Sequence, residues 1–349
     1  MTRFWTDTVK RLTPYVPGEQ RLGNDIVKLN TNENPYPPSP SVLEAIANID
    51  GHQLRRYPDP ESVALRQTLA SYHGVALENV FVGNGSDEIL ALAFLAYFTN
   101  GRALQFPDIT YSFYPVYCDL YGIAVNTISL EKDYSLTLEK FVPNAGSIIF
   151  PNPNAPTALA SSRDGIGQLL DKHTEQIMLV DEAYADFGAQ SVVPLINQYP
   201  NLLVSHTFSK GRSLAGLRLG VAFGSASLIE GLQRVKNSFN SYPVDVLAQA
   251  AGLASIDDEA YYRRTTQTII ETREWTVLEL EKRGFQVLPS AANFIFTRVP
   301  GGSAQSLFTK LGHAGVLVRY WSQPRLSSWL RISIGTAQDM QALMVNIDA

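Results

Sequence analysis

Between residues 80 and 224 the sequence repeats one arrangement, a short apolar run that ends in a cluster of polar residues, glycine or proline. Val80-Phe81-Val82 leads into Gly83-Asn84-Gly85-Ser86-Asp87, and Ala103-Leu104-Gln105-Phe106 leads into Pro107-Asp108-Ile109-Thr110-Tyr111. Ser147-Ile148-Ile149-Phe150 precedes Pro151-Asn152-Pro153-Asn154-Ala155-Pro156, and Ile177-Met178-Leu179-Val180 precedes Asp181-Glu182-Ala183-Tyr184. Leu202 to Ser205 runs toward Thr207-Phe208-Ser209-Lys210-Gly211-Arg212, and Leu219 to Phe223 closes the series. Runs this short and apolar, separated by helix-like stretches, predict an α/β fold with a mostly parallel sheet covered on both faces. Ligands of such sheets bind beyond the carboxyl ends of the strands, so the clusters predict one convergent site.

The flanks read differently. Residues 1–45 are rich in proline and asparagine, which predicts an irregular segment wrapped over other structure, followed by helices at Ser41 to Ile46 and Glu61 to Tyr72. After about residue 240 a long amphipathic helix, Asp257 to Arg283, precedes apolar runs near 286–288, 294–296, 316–318 and 330–334, with helices near Ser303 to Leu311 and from Ala337. The predicted organisation is a wrapping segment at 1–45, a large α/β unit at 46–245 and a smaller α+β unit at 246–349.

A net charge of -5 without blocks gives no footprint for nucleic acid, so the expected ligand is small. The single cysteine, Cys118, excludes an internal disulfide, and the five histidines show no metal-ligand spacing, so no metal is expected. The longest apolar run, Ile89 to Phe98, is about half a membrane span, and residues 1–7 lack the apolar core of a leader. No membrane association and a cytoplasmic location are expected.

Lys210, between Ser209 and Gly211 beyond a buried strand, is a candidate reactive amine, with Arg218 and nearby hydroxyls as groups that could lower its pKa. A solvated loop lysine is the alternative. Gly85, Ser86 and Asp87 at a helix start could cradle a phosphate or simply cap the helix. Asp181 at a strand end could pair with a protonated ring nitrogen or bond its own turn, and Tyr184 could reach the same ligand. Tyr111 could stack on a planar ring or pack in the core.

Taken in order, Asn32-Glu33-Asn34-Pro35-Tyr36-Pro37, Arg56-Tyr57-Pro58-Asp59-Pro60, the Gly83–Glu88 cluster, Thr110–Tyr114, Pro151–Thr157, Asp181–Phe187, Thr207–Gly220 and Leu330–Thr336 resemble the fold-type-I pyridoxal-phosphate aminotransferases. The resemblance is greatest to the histidinol-phosphate branch and spans nearly the whole chain. It implies a pyridoxal 5'-phosphate cofactor joined to Lys210, with Asp181 on its ring nitrogen, Tyr184 on its ring hydroxyl and Tyr111 on its ring face. It places the cofactor phosphate among Gly85, Ser86, Asp87, Thr207, Ser209 and Arg218, with Tyr57 reaching across a homodimer. It gives the acidic group of the substrate to Arg331, with Arg319 as a second candidate, and the covering loop to Tyr15 and Asn32. The implied reaction is transamination of L-histidinol phosphate with 2-oxoglutarate. Threonine-phosphate decarboxylation or aromatic transamination would keep every cofactor residue, and a non-catalytic ligand sensor is a further class.

One stretch departs from the family pattern. Where that pattern has a second asparagine as donor to the ring hydroxyl and then a glycine, this chain reads Asn154-Ala155-Pro156-Thr157-Ala158. Asn154 is the expected replacement donor, with Tyr184 and a water, or a less tuned ring, as the alternatives, and Ala158 implies a backbone without positive φ.

Overall fold

The computed structural model describes residues 3–349 apart from 22, 24, 25 and 302. Its strands are β1 (Val27–Lys28), β2 (Val80–Gly83), β3 (Ala103–Pro107), β4 (Val125–Ile128), β5 (Gly146–Pro151), β6 (Met178–Asp181), β7 (Leu202–Thr207), β8 (Gly220–Gly224), β9 (Gln286–Val287), β10 (Phe294–Arg298), β11 (Val316–Leu317), β12 (Arg319–Tyr320) and β13 (Trp329–Ser333). Seven of them form one sheet in the order β2-β8-β7-β6-β5-β3-β4.

Strand β8 runs antiparallel to both β2 and β7, and all other pairs in this sheet are parallel. A parallel partner needs a crossover long enough to return to the starting edge, usually a helix. Between β7 and β8 only the short 3-10 turn Ala215–Leu217 forms, so the chain doubles back. Because β2 and β7 still run the same way, every polar cluster leaves the same edge of the sheet.

Alternation along the strands divides the core. Phe81, Leu104, Phe106, Ile149, Leu179 and Leu203 pack with Ile89, Tyr114 and Leu232 on one face. Val80, Val82, Ile148, Phe150, Val180 and Val204 pack with Leu65, Ile166 and Ala248 on the other. Both faces are apolar, as the unbroken hydrophobic runs required. The helix expected to reach Phe98 is α-helical over Gly85–Ala93 and ends in a π-helical turn, Phe94–Phe98.

The N-terminal segment is more regular than its prolines suggested. It holds a helical turn, Asp7–Arg11, and β1, which pairs in parallel with β11, so Leu29 enters a core shared with Ile332 and Ile334. The long helix Glu259–Lys282 is capped by Asp258, which accepts from the Tyr261 N–H at 3.2 Å, and packs against the 3-10 turn Ala185–Phe187 and against β9 and β10 of the antiparallel sheet β12-β13-β10-β9. No helix among the described residues is long and apolar enough to cross a membrane.

Candidate active site

The polar clusters meet in a cavity of about 840 Å³ lined by Ser86, Asp87, Tyr111, Asp181, Tyr184, Thr207, Ser209, Lys210 and Arg218 from the large sheet, by Arg319 and Arg331 from the smaller one, and by Tyr15 and Asn32. Its residues come from the ends of several strands, the placement that the sequence pattern predicted.

Lys210 lies three residues beyond β7 and donates to the Thr31 carbonyl at 3.1 Å. Burial lowers its pKa to about 8, helped next by the Arg331 charge and only later by Arg218. The expected partner, Arg218, thus contributes less than an arginine from the other sheet. Asp181 closes β6, where its buried carboxylate accepts from the Ser205 hydroxyl at 3.0 Å, the Tyr114 hydroxyl at 3.1 Å and the Ala183 N–H at 3.3 Å. These bonds favour the ionised form, yet burial outweighs them and raises the pKa to about 6. Among the described residues this carboxylate has no cationic partner.

The helix Gly85–Ala93 points its first turn into the cavity, and its N-cap residue, Asn84, makes no side-chain cap bond. Neither Ser86 nor Asp87 caps it. The Asp87 carboxylate instead accepts from Arg218 Nη2 and from the Tyr111 hydroxyl, both at 3.1 Å. Gly85 has a φ of 80°, and a Cβ there would lie 2.6 Å from Arg218 Nη2. Strand β8 approaches from below, where a Cβ on Gly220 would lie 2.5 Å from the Ser86 nitrogen. Glycine at both positions brings backbone donors and a guanidinium together.

Tyr184 is buried and receives a 3.1 Å hydrogen bond from Asn32 Nδ2. Asn32 is fixed in turn, since its Oδ1 accepts from the Ser333 hydroxyl at 2.8 Å and its carbonyl from Asn293 at 2.9 Å. Arg331 on β13 faces Arg319 on β12 as a cross-strand pair. Like charges placed so are unfavourable, and among the described residues neither has a carboxylate partner. Arg331 Nη2 donates to the Asn30 carbonyl at 2.6 Å while its Nε is shut from solvent with no partner. Among the described residues Arg319 hydrogen-bonds only the Val16 carbonyl, at 3.5 Å.

Two expected residues lie elsewhere. Asn154 is buried beside the cavity, but its amide donates to the Ile109 carbonyl and to Thr157 Oγ1, each at 3.0 Å, so no donor is turned toward Tyr184. Tyr57 is 81% exposed and stacks on Tyr242 with ring centroids 4.5 Å apart. The expectation for Ala158 is reversed, because its φ is 64°. The loop closes through the Ala158 N–H to the Asn154 carbonyl and the Asn154 N–H to the Leu159 carbonyl, both 2.8 Å, and these bonds impose the left-handed turn. The sequence reading missed Ser205 and assigned Tyr114 no bond to Asp181. Ser205 sits two residues before Thr207 on the same strand face, which is the signal that could have found it.

The family profile described as aminotransferase class I and II matches residues 24–347. The chain belongs to this family. This aminotransferase is 51% identical over 349 residues to histidinol-phosphate aminotransferase of Chromohalobacter salexigens, covering 100% of this chain and 99% of that one. It is 48% identical over 347 residues to the enzyme of that name from Clostridium botulinum, covering 99% and 98%. Its fold matches a solved histidinol-phosphate aminotransferase from Sinorhizobium meliloti in complex with pyridoxal-5'-phosphate, with a TM-score of 0.89 at 24% identity over 99% of this chain and 96% of that one. A L-threonine-O-3-phosphate decarboxylase from Porphyromonas gingivalis also shares the aminotransferase fold, with a TM-score of 0.79 at 22% identity over 93% and 98%. Fold alone therefore does not choose between these reactions.

Proposed function

We propose that this aminotransferase moves an amino group between L-histidinol phosphate and 2-oxoglutarate, using pyridoxal 5'-phosphate and yielding imidazole acetol phosphate and L-glutamate. Full-length identity to relatives of that name supports the reading. The observation that carries the anionic substrate is the Arg319–Arg331 pair, two facing guanidinium groups in the Lys210 cavity without a carboxylate partner among the described residues.

The residues present fit the cofactor. Its phosphate suits the uncapped helix start at Gly85–Asp87 with Arg218, Ser209 and Thr207, and Gly85 is the residue that leaves the guanidinium room. Asp181, which has no cationic partner among the described residues, would hold a protonated ring nitrogen. Tyr184 would meet the ring hydroxyl, Tyr111 the ring face and Lys210 the aldehyde. Asn154 has no part in this arrangement.

When bound, pyridoxal phosphate supplies an electron-withdrawing ring that stabilises negative charge at the substrate Cα. The protein does the rest. With its pKa near 8, about one in ten Lys210 amines is uncharged at pH 7, against roughly one in several thousand for an ordinary lysine. After release, the same amine takes the Cα proton and returns it to the other side of the transfer. Arg331 and Arg319 orient the acidic end of the substrate, and the segment carrying Tyr15, Thr31 and Asn32 excludes water.

We read residues 1–45 as the strap over the site, 46–245 as the cofactor-binding unit and 246–349 as the unit that presents the arginines. Exposed Tyr57, Tyr242 and Phe239 would be covered by a second copy, with Tyr57 reaching the partner's cofactor phosphate. The lone buried Cys118 suits the reducing cytoplasm.

Histidinol phosphate, threonine phosphate, phenylalanine and glutamate, offered singly to the holoenzyme, are followed by conversion of bound aldehyde to amine. Histidinol phosphate and glutamate should react. Turnover of phenylalanine with none of histidinol phosphate would overturn the substrate reading. A Tyr57→Phe variant with unchanged cofactor affinity would count against the shared site.

A further inference from the structure

Gly211, which follows the lysine, is not among the residues with positive φ, so its backbone conformation does not call for glycine. Space does. A Cβ on residue 211 would lie 2.6 Å from Asp186 Cγ and 2.9 Å from Asp186 Cβ, with the carboxylate closer still. Asp186 sits in the 3-10 turn Ala185–Phe187, two residues beyond Tyr184, and its side chain rests on the Lys210–Gly211 backbone.

That carboxylate is itself held. The Tyr262 hydroxyl, from the first turn of the helix Glu259–Lys282, donates to Asp186 Oδ1 at 2.7 Å. The Tyr262 ring lies 4.1 Å beneath the Arg212 guanidinium, which also bonds the Ser255 carbonyl. Farther along the same helix, Arg273 donates to the carbonyls of Phe187 and Ala292, each at 2.9 Å, so the helix grips the Asp186 turn at a second point. Asn34 Nδ2, from the N-terminal segment, donates to the carbonyl of Lys210 at 2.9 Å and that of Gly211 at 3.3 Å.

Asp186, Arg212 and Tyr262 line a separate cavity of about 770 Å³, which shares only Thr207 with the lining of the Lys210 cavity. None of the three therefore reaches the reacting atoms. The geometry points to Asp186 as a positioning residue, a stop held by Tyr262 against which the Lys210–Gly211 peptide seats while Asn34 holds its carbonyls. The helix Glu259–Lys282 continues to the smaller sheet, so the seat of the lysine is tied to the unit that carries Arg331. A reacting group displaced by about 1 Å loses on the order of a hundredfold in rate, which sets the scale of such a support. The inference rests on the reading of Lys210 as the cofactor lysine.

The test uses the holoenzyme and its Asp186→Ala, Asp186→Asn and Tyr262→Phe variants. For Asp186→Ala and Tyr262→Phe, the visible absorbance and circular-dichroism band of the lysine-bound chromophore should titrate with a displaced midpoint. Their kcat should fall about tenfold or more while KM for the amino donor stays within about threefold, and Asp186→Asn should recover most of both. Variants that lose melting temperature but keep the parental band, midpoint and kcat overturn the proposal. Tyr262→Phe removes one hydroxyl and keeps the packing, so it decides the matter if Asp186→Ala does not fold. In cofactor-free protein, Gly211→Ala should lower the melting temperature, and adding Asp186→Gly, which removes the Cβ at 2.9 Å along with the carboxylate, should restore much of the loss. No restoration overturns the contact. A parent protein without a borohydride-reducible band would refute the cofactor reading, and this melting pair would still decide the Asp186 contact.

Discussion

Asp181 and Glu182 are consecutive, yet their carboxylates serve opposite faces of the sheet edge. Asp181 accepts from Tyr114 and Ser205 in the Lys210 cavity, while buried Glu182 accepts from Ser191, the Val192 N–H and His206 Nε2 at 2.6 to 2.7 Å. Glu182 has its donors, and its hydrogen bond and charge raise the pKa of His206 against the effect of burial. Asp181 has donors only, and that difference leads to the first prediction.

Without cofactor, Asp181 titrates near 6 instead of 3.8 because burial penalises its charge. A group whose pKa is raised on folding adds stability below its unfolded pKa and loses it as pH rises through the folded value, here from about pH 4 to pH 6. The shift is equivalent to roughly 3 kcal/mol. Asp181→Asn keeps acceptors for Ser205 and Ala183 and removes the titration. In melting curves of cofactor-free protein at pH 5 and pH 8, the parent should lose stability on going to pH 8 and the variant should not, while transamination falls by at least about a hundredfold.

Arg331 should be a liability for stability. Replacing it with methionine removes a half-buried cation that faces Arg319 and has an unpartnered Nε, and keeps an apolar stem against Phe294 and Trp321. Cofactor-free Arg331→Met is expected to melt higher than the parent, and kcat/KM for the phosphorylated donor to drop about a hundredfold or more. A variant that melts lower would show that Arg331 is a net support.

The reactivity of Lys210 should follow its charge. In cofactor-free protein, acetylation of Lys210 read by mass spectrometry should rise through pH 8, against about 10.5 for an ordinary lysine. Arg331→Met removes the second-largest cause of that depression and leaves burial in place, so the midpoint should rise yet stay below the ordinary value. Arg218→Met should move it less.

Ala158 combines a positive φ with complete burial. Ala158→Gly relieves about 1 kcal/mol of left-handed strain but gives up a buried methyl of about 0.8 kcal/mol and loosens the unfolded chain, so its melting temperature should stay near the parent's. Ala158→Val adds a β-branched chain where neither φ nor packing admits one, and a loss of about 3 kcal/mol is expected.

The sheet and the site were readable to the extent that they depend on local order. Apolar runs ending in polar clusters located β2, β3, β5, β6 and β7, and the parallel strands among them carried the clusters to one edge. Strands β1 and β12, of two residues each, offer no periodicity to detect. The reversal at β8 depends on how the lysine loop folds back, which spacing does not encode. Side-chain bonding was the least legible part. Asn154 looked free to turn toward the ring hydroxyl, but the Ile109 carbonyl and Thr157 hold it, and these contacts arise from loop closure. Arg331 took the role expected of Arg218 in depressing Lys210 because β13, distant in sequence, brings its side chain into the same cavity.

Gly220 belongs to β8, far along the chain from the helix that begins at Gly85, yet its missing side chain is what lets the strand lie against the Ser86 nitrogen. Any larger residue at 220 would push the first turn of that helix outward and spread its backbone donors. Redesign of the proposed phosphate pocket for a bulkier or differently charged group would therefore have to begin in the sheet, since the height of the pocket floor is fixed there.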